Sequence, residues 1–151
     1  MRMTTTNEIY RRGQIYTIRC RYDDSLVYVG STIQPLAKRM SSHRNNIGKE
    51  EKRTTTLTRA VNGDWDNWYI ELYENYPCNN KQELERREGE VIRQIGTINK
   101  FIAGRTKKEY YEDNRDKLAE KITCYCGCEV SRRHLKRHQQ SYACQDFLRN
   151  I

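Results

Sequence analysis

Two short segments of alternating residues near the start of the chain restrict its fold more than any other feature. Residues 14–20 and residues 26–30 each have the two-residue period of a β-strand. The turn at residues 23–25, Asp-Asp-Ser, is too short to connect the strands in any way other than an antiparallel hairpin. Period two also places Tyr16 and Tyr28 on the strand faces that carry further apolar side chains.

Two helices are predicted after the hairpin. Pro35 suits a first helical turn, and apolar residues at helical spacing continue that helix to about residue 45. Residues 46–53 are polar and basic and predict a loop. Residues 54–62 predict a short second helix, which Gly63 can end.

A third strand and a third long helix complete this part of the chain. Alternation predicts the strand at residues 68–73. Asn80, with Glu83 three residues later, is typical of a helix N-terminus, and Gly96 can close that helix. The order β-β-α-α-β-α predicts a mixed α/β (α+β) domain.

The last of these helices carries a carboxylate where an apolar residue is expected. Glu88 lies four residues after Leu84, on the stripe continued by Val91 and Ile92. A carboxylate on a core face is costly unless it is paired or binds a cation. The pattern leaves two interpretations of Glu88, an ion pair with a neighbouring arginine at the rim of the stripe or a cation ligand.

Five short motifs, in this order, resemble the GIY-YIG nuclease family. They lie at residues 13–16, 27–31, 36–40, 84–92 and 97–100. The resemblance implies a small, twisted three-stranded antiparallel sheet flanked by helices, over residues 13–103 and after an N-terminal tail of residues 1–12. It also implies an enzyme, an endonuclease that hydrolyses phosphodiester bonds in DNA.

The resemblance implies a set of catalytic residues. Tyr16 and Tyr28 match the two motif tyrosines, and Arg39 matches the catalytic arginine of the first helix. Glu88 matches the single metal-binding carboxylate, and Asn99 matches the asparagine that closes the site.

Hydrolysis of a phosphodiester explains why these residue types are needed. A guanidinium such as Arg39 can hold the phosphate through its fork of donors. Glu88 would hold one Mg²⁺ (or Mn²⁺), a Lewis acid for the departing oxygen. Tyr16 is then the candidate base, its pKa lowered by Arg39, and Tyr28 would orient water or phosphate. His43, one helical turn after Arg39, is a rival base.

Two departures from the family pattern affect these expectations. Gln14 stands between Gly13 and the isoleucine of the first motif, so we expect the role of the glycine in the turn to be displaced or lost. Some relatives place a His or Lys between the first two helices, where this chain offers Lys49, Lys52 and Arg53 without indicating which of them matches.

Residues 104–121 predict a linker. They are rich in charge and poor in apolar side chains, and opposite charges recur at helical spacing. The segment is therefore predicted to be a solvated helical linker.

The region after the linker predicts a metal site, over residues 122–147. Four of the six cysteines and two of the three histidines lie within the last 28 residues. In a reducing compartment such clustering favours a metal over disulfides. A Cys-x-Cys-Gly knuckle followed by His-x5-Cys resembles small viral and phage zinc fingers of the ββα kind. That resemblance predicts Zn²⁺ bound by Cys124, Cys126, His138 and Cys144.

Alternatives to this ligand set stay open in the sequence. Cys128 could replace one of the four ligands, or His134 could, since it lies one helical turn before His138 as in ordinary C2H2 fingers. A disulfide from Cys126 or Cys128 to Cys144 is the alternative without a metal.

The charge of the chain predicts a nucleic-acid partner. The net charge is +8, and residues 105–151 carry 11 basic and 7 acidic side chains. On a finger next to a nuclease domain, a basic cluster predicts DNA contact by a monomer or a transient dimer on DNA. The candidate DNA-binding residues are Arg132, Arg133, Lys136 and Arg137.

The remaining expectations concern location and the competing function. The sequence has no run of about 18 apolar residues and opens without the apolar stretch of a signal peptide, so we expect an intracellular protein without a membrane span. The competing hypothesis is a catalytically silent nucleic-acid-binding zinc-finger protein.

Overall fold

A three-stranded antiparallel sheet forms the centre of the first half of the protein. β1 (Gln14–Cys20) lies between β2 (Val27–Thr32) and β3 (Trp68–Asn75). In this register Tyr16 of β1 lies opposite Gly30 of β2. The predicted hairpin, third strand and α/β class are confirmed.

The computed structural model describes residues 6–45 and 55–149, and these form two units divided after Arg105. We call residues 6–105 the sheet domain and residues 106–149 the C-terminal unit. Within the described ranges, no helix has the length and apolar character needed to cross a membrane. The predicted loop at residues 46–53 lies outside the described residues.

In the described part of this domain, the sheet is accompanied by the helices α1 (Thr6–Ile9), α2 (Leu36–Asn45), α3 (Thr56–Val61) and α4 (Lys81–Ile95). The predicted start of α4 agrees with its cap, because the Asn80 side chain accepts a hydrogen bond from the backbone N–H of Glu83 at 2.9 Å.

The described residues before β1, residues 6–13, include two short helical segments. α1 is followed by a 3-10 turn (Tyr10–Arg12), and Tyr10 packs against the core. Gly13 follows that turn, and a Cβ on it would collide with the carbonyl oxygen of Tyr76. Gly13 is thus needed for a close approach of two backbones, and the expectation that Gln14 displaces its role in the turn stays a prediction.

The sheet is covered by helices on both faces, because β1 sends successive side chains to opposite sides. On one face, α2 and α3 cover the buried residues Tyr16, Ile18, Met40, Leu57, Val61 and Trp68. On the other face, α4 covers the buried residues Ile15, Val27, Val29, Cys78, Leu84, Val91 and Ile92.

The outer edge of β2 is completed by residues that follow α4. The backbone N–H of Thr97 donates to Val27 O at 2.9 Å. The carboxamide of Asn99 accepts from Val29 N–H at 2.9 Å and donates to Val29 O at 2.8 Å. Asn99 therefore replaces the backbone of a missing fourth strand and protects an exposed sheet edge.

The C-terminal unit begins with two short helices and continues as residues 121–149, which we call the finger. The predicted helical linker is divided at Asn114, which caps the first of the two helices and precedes the second. A short β-hairpin and two further helices follow, in agreement with a ββα arrangement. The elements are α5 (Lys107–Asp113), α6 (Arg115–Ala119), β4 (Lys121–Thr123), β5 (Glu129–Ser131), α7 (Leu135–Gln139) and α8 (Tyr142–Arg149).

The end of α6 is attached to the finger by Arg132. Its backbone N–H donates to Glu120 O at 2.8 Å, and its side chain pairs with the Glu120 carboxylate through Nε at 2.9 Å and Nη2 at 2.8 Å. The residues predicted as a linker thus lie in the same unit as the finger.

We predict that Asn99→Ala lowers the free energy of unfolding of the sheet domain by about 2–3 kcal/mol, because it leaves the N–H and C=O of the buried Val29 without partners. Both tryptophans lie in this domain, so urea unfolding followed by tryptophan fluorescence measures it. Asn75→Ala, which removes one exposed hydrogen bond to Gln14, is the matched control and should cost at most about 0.5 kcal/mol. Equal losses for the two variants would contradict the edge role of Asn99.

Candidate active site and C-terminal Cys/His cluster

The hydroxyl of Tyr16 joins β1 to two residues of α2. Arg39 donates its Nε–H to this oxygen at 2.8 Å, and the oxygen lies 2.8 Å from Nε2 of His43. The hydroxyl accepts from Arg39 and can still donate to or accept from His43, so the tautomer of His43 sets the direction of the second bond. Burial, with help from Arg39, lowers the pKa of His43 to about 4, which keeps its ring neutral and able to accept.

Space for the Tyr16 ring depends on the residue opposite it. A Cβ on Gly30 would lie 2.5 Å from the ring carbon Cζ of Tyr16. The glycine of the second motif therefore allows a phenol to reach α2 through the packed interior. The His43 ring packs edge-on against Tyr16 and Tyr28, with centroid distances of 6.0 and 5.7 Å.

Burial raises the pKa of both tyrosines, whereas a catalytic base needs a lowered pKa. It raises the pKa of Tyr16 well above its ordinary value, and the neighbouring Arg39 guanidinium offsets only part of that rise. The pKa of Tyr28 is also raised by burial and by the charge of Glu88. Neither phenol is therefore ionised near neutral pH in this state.

A cavity of about 450 Å³ brings three of the predicted site residues together. Tyr28, Arg39 and Glu88 line it, with Ser31 beside them. The other three lie elsewhere. Tyr16 is fully buried behind Arg39, His43 bonds to it there, and Asn99 lies on the edge of β2. The basic candidates Lys49, Lys52 and Arg53 lie outside the described residues.

Glu88 is partly buried and is held by a hydroxyl. Ser31 donates its Oγ–H to Glu88 Oε2 at 2.5 Å. The adjacent Arg87 pairs instead with Glu74 and Glu90, each at 2.8 Å. Burial raises the pKa of Glu88, and the Ser31 hydrogen bond opposes that rise. The alternative interpretation, an ion pair of Glu88 with the neighbouring Arg87, is therefore wrong, and Glu88 is held by Ser31 instead.

Ser31 was not among the predicted site residues, although a signal for it exists. Period two places Ser31 on the same face of β2 as Val27 and Val29, which α4 covers. A hydroxyl at that position faces the helix that carries Glu88. Strand pattern and helix pattern together, and neither alone, indicate the pair.

A comparison with protein-family models decides the family of the chain. The model described as the GIY-YIG catalytic domain matches residues 12–102, more than half of the sequence. The chain belongs to the GIY-YIG family. The GIY-YIG domain indicates nuclease activity and implies a DNA substrate. Nucleases of this family are metal-dependent. Comparisons with curated proteins and with solved structures give no match.

Beyond the GIY-YIG domain, the C-terminal unit gathers a possible metal site. Its four candidate ligand atoms lie within 4.8 Å of one another, with 3.6 Å between two of the sulfurs and 3.1 Å from a third sulfur to a ring nitrogen. The edges of a tetrahedral zinc site measure roughly 3.5–3.8 Å, given Zn–S of about 2.3 Å and Zn–N of about 2.0 Å. The four residues are those predicted, Cys124, Cys126, His138 and Cys144.

The alternative ligands lie outside this group. Cys128 is exposed, and His134 is held by Ser131, whose Oγ lies 3.0 Å from its Nδ1. Hydrogen bonds from the backbone of Cys128 and from the His138 ring lower the pKa of Cys126 to about 6, which favours the thiolate that a metal needs.

The pKa of His43 generates a prediction about stability. A histidine with a lowered pKa when folded stabilises the protein above its unfolded pKa of 6.5 and loses that effect as the pH falls towards about 4. Between pH 7 and pH 5 the wild-type sheet domain should lose about 2 kcal/mol more unfolding free energy than His43→Gln does. Urea unfolding followed by tryptophan fluorescence at several pH values checks this. Parallel pH curves for the two proteins would show that His43 is not buried as described.

Proposed function

We propose that the protein is a metal-dependent DNA endonuclease that hydrolyses phosphodiester bonds, with the sheet domain as the cutting module and the C-terminal unit as a zinc finger that binds DNA. The observation that supports this most is the shared cavity of Arg39, Glu88 and Tyr28. A phosphate-binding cation and a carboxylate that can hold a divalent ion face one space there, as phosphodiester hydrolysis requires.

Arg39 is the proposed phosphate clamp. Tyr16 uses its Nε–H, so the two Nη groups are left for the oxygens of a phosphate. The Tyr16 hydroxyl in turn is held by His43. Because Tyr16 and His43 lie behind Arg39 and not on the cavity wall, we assign both to positioning Arg39 in preference to removing a proton from water directly.

Glu88 is the proposed ligand of the catalytic ion. A partly buried carboxylate oxygen is a hard donor that suits Mg²⁺ or Mn²⁺. Ser31 holds one oxygen of this carboxylate and so fixes its orientation. When bound, such an ion stabilises negative charge on the departing oxygen as a Lewis acid.

The cavity favours a single ion. Its wall holds a second carboxylate, Glu85, which is paired with Lys81 at 3.2 Å. Tyr28 also lines the cavity, and its neutral hydroxyl can orient a water molecule by accepting and donating hydrogen bonds. Asn99 positions β2, the strand that carries Tyr28 and Ser31, through its bonds to Val29.

The C-terminal unit fits a structural zinc ion. Three thiols and one imidazole are a donor set that Zn²⁺ binds tetrahedrally. Among the residues of this unit whose side chains the structure describes, Cys124 and Cys144 are the buried ones, so the cluster itself is the core. A unit with so little apolar burial depends on its metal to fold.

For the catalytic site, we predict that Glu88→Gln lowers the rate of plasmid cleavage in Mg²⁺ by roughly 10³-fold, since the ion loses its charged ligand. DNA affinity should stay nearly unchanged. Glu85→Gln is the matched control, because Glu85 lies on the same helix and cavity wall but is paired with Lys81, and it should keep most of the activity. Cleavage by Glu88→Gln at the parent rate would remove the catalytic assignment.

For the finger, we predict one zinc ion per chain by elemental analysis. Because Cys126→Ser removes one of four ligands, this variant should lose both the zinc and the fold of the C-terminal unit. Limited proteolysis measures the loss of the fold. The matched control is Cys128→Ser, two residues away and outside the group, which should retain both. Loss of zinc from Cys128→Ser with retention in Cys126→Ser would show that the ligand set is wrong.

A further inference from the structure

We infer that the C-terminal unit holds the DNA backbone in a groove between the helical segment α5–α6 and the finger, and not on the finger helix alone. This inference rests on the proposed DNA-binding function and specifies the surface that performs it. The helical segment then forms one wall of the binding site, where the sequence predicted only a linker.

The groove consists of two adjoining cavities within the C-terminal unit. The larger measures about 770 Å³ and includes Lys108 of α5 and Arg115 of α6 on its wall. The smaller measures about 410 Å³ and extends along α7. The cavities meet at three residues that line both, Lys121, Ser131 and His134.

The groove wall is strongly basic, with acidic residues Glu112 and Glu129 as the opposing charges. Within residues 106–149, no carboxylate lies at ion-pair distance from three of the cations. A row of unpaired cations is what a phosphate backbone attracts, with release of its counterions. The five basic residues on the wall are Lys108, Arg115, Lys121, Arg133 and Arg137.

The two cations that do have partners hold them weakly. Lys108 lies 3.9 Å from Glu112, and Arg115 lies 3.3 Å from Asp116. All four side chains are between 62% and 94% exposed. Ion pairs this exposed contribute little, so a phosphate can take the place of the carboxylate.

Arg132 differs from the other basic residues of the finger. Nε and Nη2 both contact the carboxylate of Glu120, at 2.9 and 2.8 Å. This pair holds the end of α6 against the finger and so forms the groove. Among the basic residues predicted to contact DNA, Arg132 is thus assigned to building the surface, and Arg133 and Arg137 to lining it.

The other side chains of the groove also suit a nucleic acid. Tyr111 is 56% exposed and lines the larger cavity near Leu118, which gives the sugar faces an apolar contact between the cations. His134 lies where the cavities meet, with Nδ1 held by Ser131 and with no partner for Nε2 among the described residues. Cations interleaved with an aromatic ring distinguish a nucleic-acid groove from a merely solvated basic face.

The test measures binding of the full-length, zinc-loaded chain to a labelled DNA duplex by fluorescence anisotropy, over a series of KCl concentrations and without Mg²⁺. Arg115→Gln on one wall and Arg133→Gln on the other should each reduce the slope of log K against log salt by about 1 and weaken binding several-fold. Lys117→Gln changes the same charge two residues from Arg115 on α6 but lies outside both cavities, so it should change neither quantity.

The outcomes separate this inference from the function on which it rests. If Lys136→Gln lowers the slope while Arg115→Gln and Arg133→Gln leave it unchanged, the DNA lies on the finger helix. That result would overturn the groove and leave the proposed function intact. Tighter binding of an RNA duplex of the same sequence would overturn the assignment to DNA. Failure of the wild-type chain to bind DNA at any salt concentration would refute the proposed function itself. Zinc content confirms that each variant is folded.

Discussion

The arrangement of the candidate active site depends on the hydrogen bonds of the Tyr16 hydroxyl. This hydroxyl lies on a fully buried ring, where an unpaired polar group is costly, and both of its partners, Arg39 and His43, belong to α2. The orientation of that helix against the sheet is therefore fixed by the same hydrogen bonds that aim Arg39. Gly30 permits this by leaving room for the phenol. Fold and site share one set of contacts, as a preorganised site requires.

On the opposite side of the cavity, a hydrogen bond between a strand and a helix again holds a candidate site residue. Ser31 on β2 and Glu88 on α4 meet at 2.5 Å, and Asn99 holds β2 in place from its outer edge. A buried carboxylate tends to take up a proton, and the serine hydroxyl counteracts that tendency by bonding the charged form. Arg39, the proposed clamp, and Glu88, the proposed ion ligand, are thus carried by different helices and line one cavity at the end of β2.

The sequence predicted much of this because local patterns determine it. The hairpin with Tyr16 and the helix that carries Glu88 follow from periodicity and capping. Clustering of cysteines and histidines indicates a metal site, and the resemblance to small zinc fingers selects the four-residue cluster that includes Cys126. The Ser31–Glu88 contact was missed because it needs the patterns of β2 and α4 read together. The contact of Arg132 with Glu120 could not be predicted, since it depends on how α6 packs. The direction of the Tyr16 pKa was also missed, because burial, which no local pattern measures, outweighs the charge of Arg39.

The proposed activity depends on one divalent ion that Glu88 binds beside a phosphate held by Arg39. A crystal of the full chain with a DNA duplex and Mn²⁺, measured for anomalous scattering of manganese, tests it most directly. We expect one manganese peak, within coordination distance of the Glu88 carboxylate and next to a phosphate that is hydrogen-bonded to Arg39. A pair of peaks about 3.5–4 Å apart between Glu85 and Glu88, or a peak elsewhere with none at Glu88, would contradict the claim.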